Sequence, residues 1–390
     1  MIITHQDDLE RFCAGLRAHP FITIDTEFLR EKTYYPKLCL IQVSDPNLNA
    51  AAIDPIDGTL DLKPLLDILL DRSILKIFHA GRQDLEILYR LTEGKMIGPF
   101  FDTQIAAMVC GYGDSVGYEN LVRNITGESL DKAVQFTDWS KRPLSKRQLD
   151  YALGDVTHLV KIFEKMKSDL DRRGRTSWVF EEEGVLSNPE TYENRPEDAW
   201  KRIKLRSPKP KTLAVLRALA DWREKMAQNR DLPRTWIMRD ETRADMASQS
   251  PTTLEQLKKI RNIPADLSKN NLGQTLLDIM QKALESDKAT WPKPEQKKVI
   301  PGNVQATIEV LKLLLKVQAA EHDVAMKLIA CSEDIEKIAM EKNPDVPAMK
   351  GWRFEIFGRE AMALKDGKIA VGLRGSKIHK FIVAEFPQDA

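Results

Sequence analysis

Five side chains of this 390-residue chain combine types and spacings that can do chemistry. Asp25 and Glu27 lie in Phe21-Ile22-Thr23-Ile24-Asp25-Thr26-Glu27-Phe28, an apolar, β-branched run that reads as a buried strand. Strand side chains alternate with period two, so both carboxylates point to one face. Two like charges in an apolar setting repel each other and lose hydration. A divalent cation between them offsets that cost; the plainer alternative is a solvated edge strand. Asp84 follows the apolar run 74–78, within His79-Ala80-Gly81-Arg82-Gln83-Asp84. Alone it reads as a first-turn acid favoured by the helix dipole, and His79 alone reads as a hydrogen-bonded loop histidine. Tyr151 and Asp155 are four residues apart on a helical pattern, and their shared face continues through Leu159. Each piece has an ordinary explanation, but all of those explanations would have to hold at once. Carboxylates gathered together favour a hard divalent cation.

Several elements must position these residues. The strand at 21–28 is followed by Leu38-Cys39-Leu40-Ile41-Gln42-Val43 and by Ala50-Ala51-Ala52-Ile53, with a turn signal at Tyr35-Pro36-Lys37. Short connections between three such runs predict an antiparallel meander. Helical patterns cover 62–70 and 82–91, with a strand at 74–78 between them. Asp102-Thr103 is a good N-cap for a helix reaching about Cys110. A long helix over about Lys146 to Arg172 ends at Gly174, a C-cap residue. This mixture predicts a mixed-sheet α/β domain over 1–175.

Residues 176–209 read as a linker rich in Pro and charge. Helical patterns then fill 210–290 and, past Trp291-Pro292-Lys293-Pro294, the block 300–390. The fold class is therefore an α/β mixed-sheet domain followed by two all-α domains. The two helical blocks look alike: Trp236-Ile237-Met238-Arg239-Asp240-Glu241 compares with Leu328-Ile329-Ala330-Cys331-Ser332-Glu333, as from a duplicated module.

Composition bounds the function. Hydrophobic residues at 42% and charged residues at 30% fit a soluble protein of two or three domains. No run approaches the roughly 18 apolar residues of a membrane span, and no secretory signal is visible. The four cysteines are scattered without a C-x-x-C pair, which suggests neither a zinc knuckle nor a disulfide framework and fits a reducing cytoplasm. The net charge of +1 hides an asymmetry: residues 200–299 carry 22 basic and 12 acidic side chains, while the remainder is net −9. A basic segment suits a phosphate backbone. Arg217, Arg223, Lys225, Arg230, Arg234 and Arg239, near Trp222 and Trp236, are the candidate contacts. A G-x-x-x-x-G-K-[ST] loop is absent from the sequence, so helicase chemistry is not expected.

D-x-E on a strand, Asp at a helix start and Y-x-x-x-D on a late helix resemble the tyrosine variant of the DEDD exonucleases. Ile24-Asp25-Thr26-Glu27-Phe28, Leu40-Ile41-Gln42, Phe78-His79-Ala80-Gly81-Arg82-Gln83-Asp84 and Phe101-Asp102-Thr103-Gln104 resemble the ribonuclease D family over 1–175. The segment 210–290 resembles an HRDC domain, a helical nucleic-acid-binding module, and 300–390 resembles the degenerate second HRDC-like domain of that family. The resemblance implies a ribonuclease H-like fold and a metal-dependent 3′→5′ exoribonuclease that releases nucleoside 5′-monophosphates. It also implies a role in the 3′ maturation of tRNA precursors with 3′ extensions. By the same resemblance Asp25, Glu27, Asp84 and Asp155 hold two divalent ions, Mg²⁺ or Mn²⁺, for in-line attack of water. Tyr151 orients that water, and Phe28 and His79 meet the terminal nucleotide. For Phe28 plain core packing is the equal alternative. A cytoplasmic monomer without membrane attachment is expected. The rival readings are a 3′→5′ DNA exonuclease using the same acids and a non-catalytic RNA-binding scaffold.

Overall fold

A computed structural model describes residues 1–130, 134–135, 137–266, 270–294 and 300–383. Its N-terminal part is built on a six-stranded sheet. Strand β1 (Ile2–Ile3) and helix α1 (Gln6–Leu16) precede β2 (Phe21–Leu29), β3 (Lys37–Ser44) and β4 (Ala50–Ile53). These last three form the expected antiparallel meander. Then come α2 (Lys63–Leu70), β5 (Leu75–Phe78), α3 (Arg82–Leu91), β6 (Phe100–Asp102), α4 (Thr103–Val109), α5 (Tyr118–Thr126) and α6 (Lys146–Arg173). The spatial order is β1-β4-β3-β2-β5-β6, with β5 parallel to both β2 and β6.

The period-two pattern of β2 is used on both sides. Ile22 and Ile24 face a core shared with Ile41, Val43, Leu65, Ile68, Leu85 and Leu88. Thr23, Asp25 and Glu27 face α6, where the Thr23 hydroxyl donates to the Val156 carbonyl at 2.8 Å. Helix α6 starts in a Ser145/Gln148 capping box and stops at Gly174, whose φ of 66° is cheap only for glycine. Its buried face runs through Ala152, Asp155, Val156 and Leu159, as the sequence spacing predicts.

Residues 176–209 depart from the expected linker. Helix α7 (Thr176–Glu182) and 3₁₀ turns at Glu183–Val185 and Pro189–Thr191 pack against the sheet domain, and a further 3₁₀ turn at Pro196–Arg202 packs against the helix at Pro210–Arg230. Pro and charge did mark turns here, but Val179 and Tyr192, set among the charges, anchor the segment in the domain's cores. Glu183 is only 2% exposed.

The helical region begins with α8 (Pro210–Arg230), α9 (Arg234–Ile237), α10 (Asp240–Gln249), α11 (Leu254–Lys258) and α12 (Asn270–Glu285). It continues with α13 (Gly302–His322), α14 (Met326–Ile329), α15 (Ser332–Met340), α16 (Gly351–Arg353) and α17 (Arg359–Lys365). Helices α8, α9 and α10 start 92 positions before α13, α14 and α15 respectively. The left-handed caps Asp231 (φ 49°) and Asp323 (φ 51°) keep the same offset. Each corner seats on the sheet domain. The Asp231 carboxylate accepts the Tyr34 and Tyr35 N–H groups at 3.1 and 3.0 Å. Asp323 pairs with Arg173 at 2.8 Å, and the Ala325 N–H donates to the Met108 carbonyl at 2.9 Å.

Two expectations change here. The block after 300 ends in an antiparallel hairpin, β7 (Ile369–Arg374) and β8 (Lys377–Ile382), and residues 384–390 lie outside the described residues. Alternation of Ile369, Val371 and Leu373 about a turn with Gly375 at φ 65° accounts for it. Arg223 and Arg234 are not free for phosphate. Arg223 is 4% exposed and pairs with Asp240 at 2.7 Å. Arg234 chelates the Glu224 carboxylate and donates to the Tyr34 hydroxyl at 2.9 Å. Buried charges persist when paired and hydrogen-bonded in this way. This cluster clamps the β2–β3 loop, just past Phe28, onto α8. Trp222 packs partly against the first helical core, whereas Trp236 is 58% exposed.

Candidate active site

Strand β2 lays Asp25 and Glu27 on one face, and α6 lowers Asp155 onto it. Oxygen atoms of these three carboxylates all lie within 4.8 Å of one another. Asp84 arrives from the first turn of α3 and is 7% exposed. One of its oxygens accepts the hydroxyl of Thr26, which sits between the two strand acids. The structure thus brings all four acids together, three as a tight group and Asp84 beside them.

Their electrostatics reflect that crowding. Burial is the largest cause for each and favours the protonated form. Asp25 is held well above the usual carboxylate range, with Asp84, Asp155 and Glu27 adding like-charge repulsion. Burial, then Asp155 and Asp84, push Glu27 up to about 9. Asp84 is raised to about 6 and Asp155 to about 7. The Oδ1 of Asp155 is buried without a hydrogen-bond partner. A partnerless buried oxygen beside mutually repelling carboxylates is a donor set that fits a hard divalent cation.

That crowding has a measurable sign. Unfolded carboxyls titrate near ~4, so in the metal-free fold these groups bind protons more tightly than in the unfolded chain. Their stabilising contribution is complete below about pH 4. It is lost as pH rises through about 6 for Asp84, about 7 for Asp155 and about 9 for Glu27. In chelator, the unfolding temperature is therefore expected to fall from pH 6 to pH 9 more steeply in the parent than in Asp25→Asn. Added Mn²⁺ should restore most of the parent's loss. Parallel slopes in the two proteins would contradict a repelling cluster.

The surrounding side chains are set by neighbouring elements. The Tyr151 ring lies 6.2 Å from that of Trp139, centroid to centroid, and lines a cleft with Gly117, Tyr118, Asn120 and Gln135. Burial, then Asp155, push its phenol upward. His79 Nδ1 lies 3.0 Å from the Thr103 hydroxyl, and burial lowers its pKa to about 4, so the ring is neutral at pH 7. Phe28 follows a register slip between Glu27 and Phe28, where Cys39 is the extra residue of β3. Bulges re-aim side chains, and Phe28 is left half-exposed rather than in the core.

Sequence reasoning missed two features. Asp102 is more than a helix cap: its carboxylate accepts the N–H groups of Ala80, Gly81 and Gln104 at 3.0, 2.9 and 2.8 Å. It thereby fixes the turn between His79 and Asp84. Ala80 has φ 53°, and a Cβ at Gly81 would stand 2.5 Å from the Phe78 side chain, so glycine is required there. Glu183, from the former linker, accepts the Asp102 N–H. Tyr118 is the second feature. Its hydroxyl donates to the Asp155 carbonyl and its ring lies 5.2 Å from His79. The available signal was its place one turn before the buried Leu121 and Val122 on α5. Gln83 is exposed, and the structure gives it no part in the site.

Known proteins match this chain over nearly its whole length. The chain is 46% identical to ribonuclease D of Sphingobium indicum, over 97% of each chain. It is 44% identical to ribonuclease D of Nitrobacter hamburgensis, over 97% of this chain and 98% of the relative. The chain belongs to the ribonuclease D family. As a ribonuclease D family member it is a 3′-5′ exoribonuclease with RNA as substrate. The 3′-5′ exonuclease domain family matches residues 1–171 and the HRDC domain family matches 212–279. The crystal structure of Escherichia coli RNase D superposes with a TM-score of 0.80 at 32% identity, covering 94% of this chain and 98% of that one. That protein is described as an exoribonuclease involved in structured RNA processing. Among the described residues no helix is long and apolar enough to cross a membrane.

Proposed function

We propose that this ribonuclease D family member trims the 3′ ends of tRNA precursors, using Asp25, Glu27, Asp84 and Asp155 to hold two divalent ions, Mg²⁺ or Mn²⁺. The observation that carries the reading is the convergence of the strand and helix carboxylates to within 4.8 Å around a partnerless Asp155 oxygen. Bound divalent ions supply charge neutralisation at the scissile phosphate and a lowered pKa for water. The remaining work falls to the chain itself. Tyr151 keeps its proton at neutral pH, because burial and Asp155 push the phenol above its ordinary value. It therefore acts as a hydrogen-bond donor that orients the attacking water, and a role as general base is secondary. Neutral His79 and half-exposed Phe28 receive the terminal nucleotide, Phe28 by stacking on a base. Single-strand binders gain about 1–3 kcal/mol per stacked base. Asp102 and Tyr118 are positioning groups for His79, Asp84 and Asp155.

The domain assignment goes with this reading: an exonuclease domain at 1–175, a connecting segment at 176–209, an HRDC domain at 210–290 and a second HRDC-like domain at 300–390. The common 92-residue spacing and the shared docking corner support the last of these. The net +10 of residues 200–299 supports RNA contact by the first helical module. We read the protein as a cytoplasmic monomer; four free cysteines fit that location.

A 3′-labelled tRNA precursor and a DNA of the same sequence, each incubated with Mg²⁺ or Mn²⁺ and with excess chelator, test the proposal. Stepwise release of nucleoside monophosphate from the RNA, abolished by chelator, is expected. Equal rates on DNA would favour the DNA-exonuclease reading, and release that survives chelation would remove the metal assignment.

A further inference from the structure

Gln42 is fully buried, yet among the described residues neither its amide nitrogen nor its amide oxygen has a hydrogen-bond partner. An amide buried with both ends unpaired is destabilising relative to a satisfied one, because it has lost its hydration without replacing it. Such a residue in the centre of a sheet needs a reason. Its place supplies one. Gln42 stands directly opposite Asp25 in the β2–β3 ladder and opposite Ala52 in the β3–β4 ladder. Directly opposed residues share a face, with Cβ atoms about 4.5–5.5 Å apart. The amide therefore lies on the acid-bearing face, under α6, beside the Asp25 carboxylate. Its flank is the small Ala52, which leaves the side chain room. On the helix that covers this face, Asp155 Oδ1 is likewise without a hydrogen-bond partner among the described residues. A donor-bearing amide and a partnerless carboxylate oxygen thus share one covered layer between β3 and α6.

We propose that Gln42 is a positioning residue for the metal carboxylates: its amide N–H groups orient Asp25 and Asp155 through one buried water. Gln42 touches neither substrate nor ion. It acts by holding carboxylate oxygens so that their free lone pairs converge. Ligand carboxylates are commonly oriented by such outer hydrogen bonds, and losing one costs about 10–100-fold in metal affinity or activity. A buried amide suits the task because it carries no charge. It adds a donor to a crowded anionic cluster without adding a fifth negative charge or a cation that would compete with the metal. The inference rests on the metal assignment proposed above.

Gln42→Met is the decisive variant, since methionine has similar length and removes the unpaired polar atoms. Calorimetric titration of the metal-free protein with Mn²⁺ is the primary readout. Affinity is expected to weaken at least about tenfold, while the unfolding temperature in chelator holds or rises and KM for a 3′-labelled RNA is unchanged. Under saturating Mn²⁺ kcat should recover in part. Gln42→Asn, which keeps the amide, should stay within about threefold of the parent, a margin under ~1 kcal/mol. Unchanged Mn²⁺ affinity in Gln42→Met overturns the inference, and Gln42→Leu gives the same reading should methionine disturb the fold. A parent protein that binds no Mn²⁺ would instead sink the metal assignment itself, so the two failures are distinct.

Discussion

Asp155→Asn is expected to lower the rate of 3′-nucleotide release by on the order of 10³-fold, and Asp25→Asn by a similar factor. Asparagine matches the size of aspartate, so the helix face against β2 keeps its shape and the loss is one of charge. Asp155 offers a buried oxygen without a hydrogen-bond partner among the described residues. Its neutral replacement is a poor ligand for a hard cation. The same change has the opposite effect on the metal-free protein. Burial is the larger cause of the raised Glu27, at about 9, and of Asp25, well above its ordinary range; removing one of four repelling carboxylates relieves the repulsion that adds to it. The unfolding temperature in chelator at pH 8 should therefore rise while activity disappears. Single-turnover release from a labelled RNA, paired with thermal unfolding in chelator, measures both. Activity within tenfold of the parent would take Asp155 out of the metal site, and a lower unfolding temperature would contradict the repulsion.

Tyr151→Phe is expected to lower kcat by about 10²-fold with Mn²⁺ affinity and KM nearly unchanged. The ring would keep its packing against Trp139, so only the hydroxyl is lost. Tyr151 also lowers the pKa of neighbouring Asp155 by hydrogen bonding. Without the hydroxyl, Asp155 should hold its proton to higher pH, and the alkaline rise of the rate profile should move upward. A structural role for the ring would move neither the profile nor kcat. Full activity in this variant would remove the hydroxyl from the mechanism.

How much of this was legible from residues alone varies with the range of the interaction concerned. The alternation of Phe21 to Leu29 and the caps at Ser145 and Gly174 are local, and the strands and helices follow them closely. Asp25 and Glu27 share a face by strand geometry, and Tyr151 and Asp155 share one by helix geometry. The packing of segment 176–209 was not legible because composition over a short window marks turns well and packing poorly. Val179, Glu183 and Tyr192 gain their meaning from the cores they enter. Arg223 and Arg234 looked like phosphate contacts because partners 10 to 17 residues away cannot be read from charge alone. The terminal hairpin was hidden inside a block whose earlier part is helical.

By itself, then, the sequence determined which chemistry the chain can do. The acids and the tyrosine are fixed in type, and periods of two and of about 3.6 fix which of them share a face. Only the tertiary structure decided that the faces meet. Convergence of Asp25, Glu27 and Asp155 depends on α6 crossing β2, a contact between segments more than 120 residues apart. The same crossing leaves Gln42 opposite Asp25 without a partner, and the β6 contact makes Asp102 the clamp on the His79 turn. Burial then changes what the residues are. Four carboxyls that in water would titrate as ordinary acids hold their protons to higher pH because the fold takes away solvent and brings like charges together.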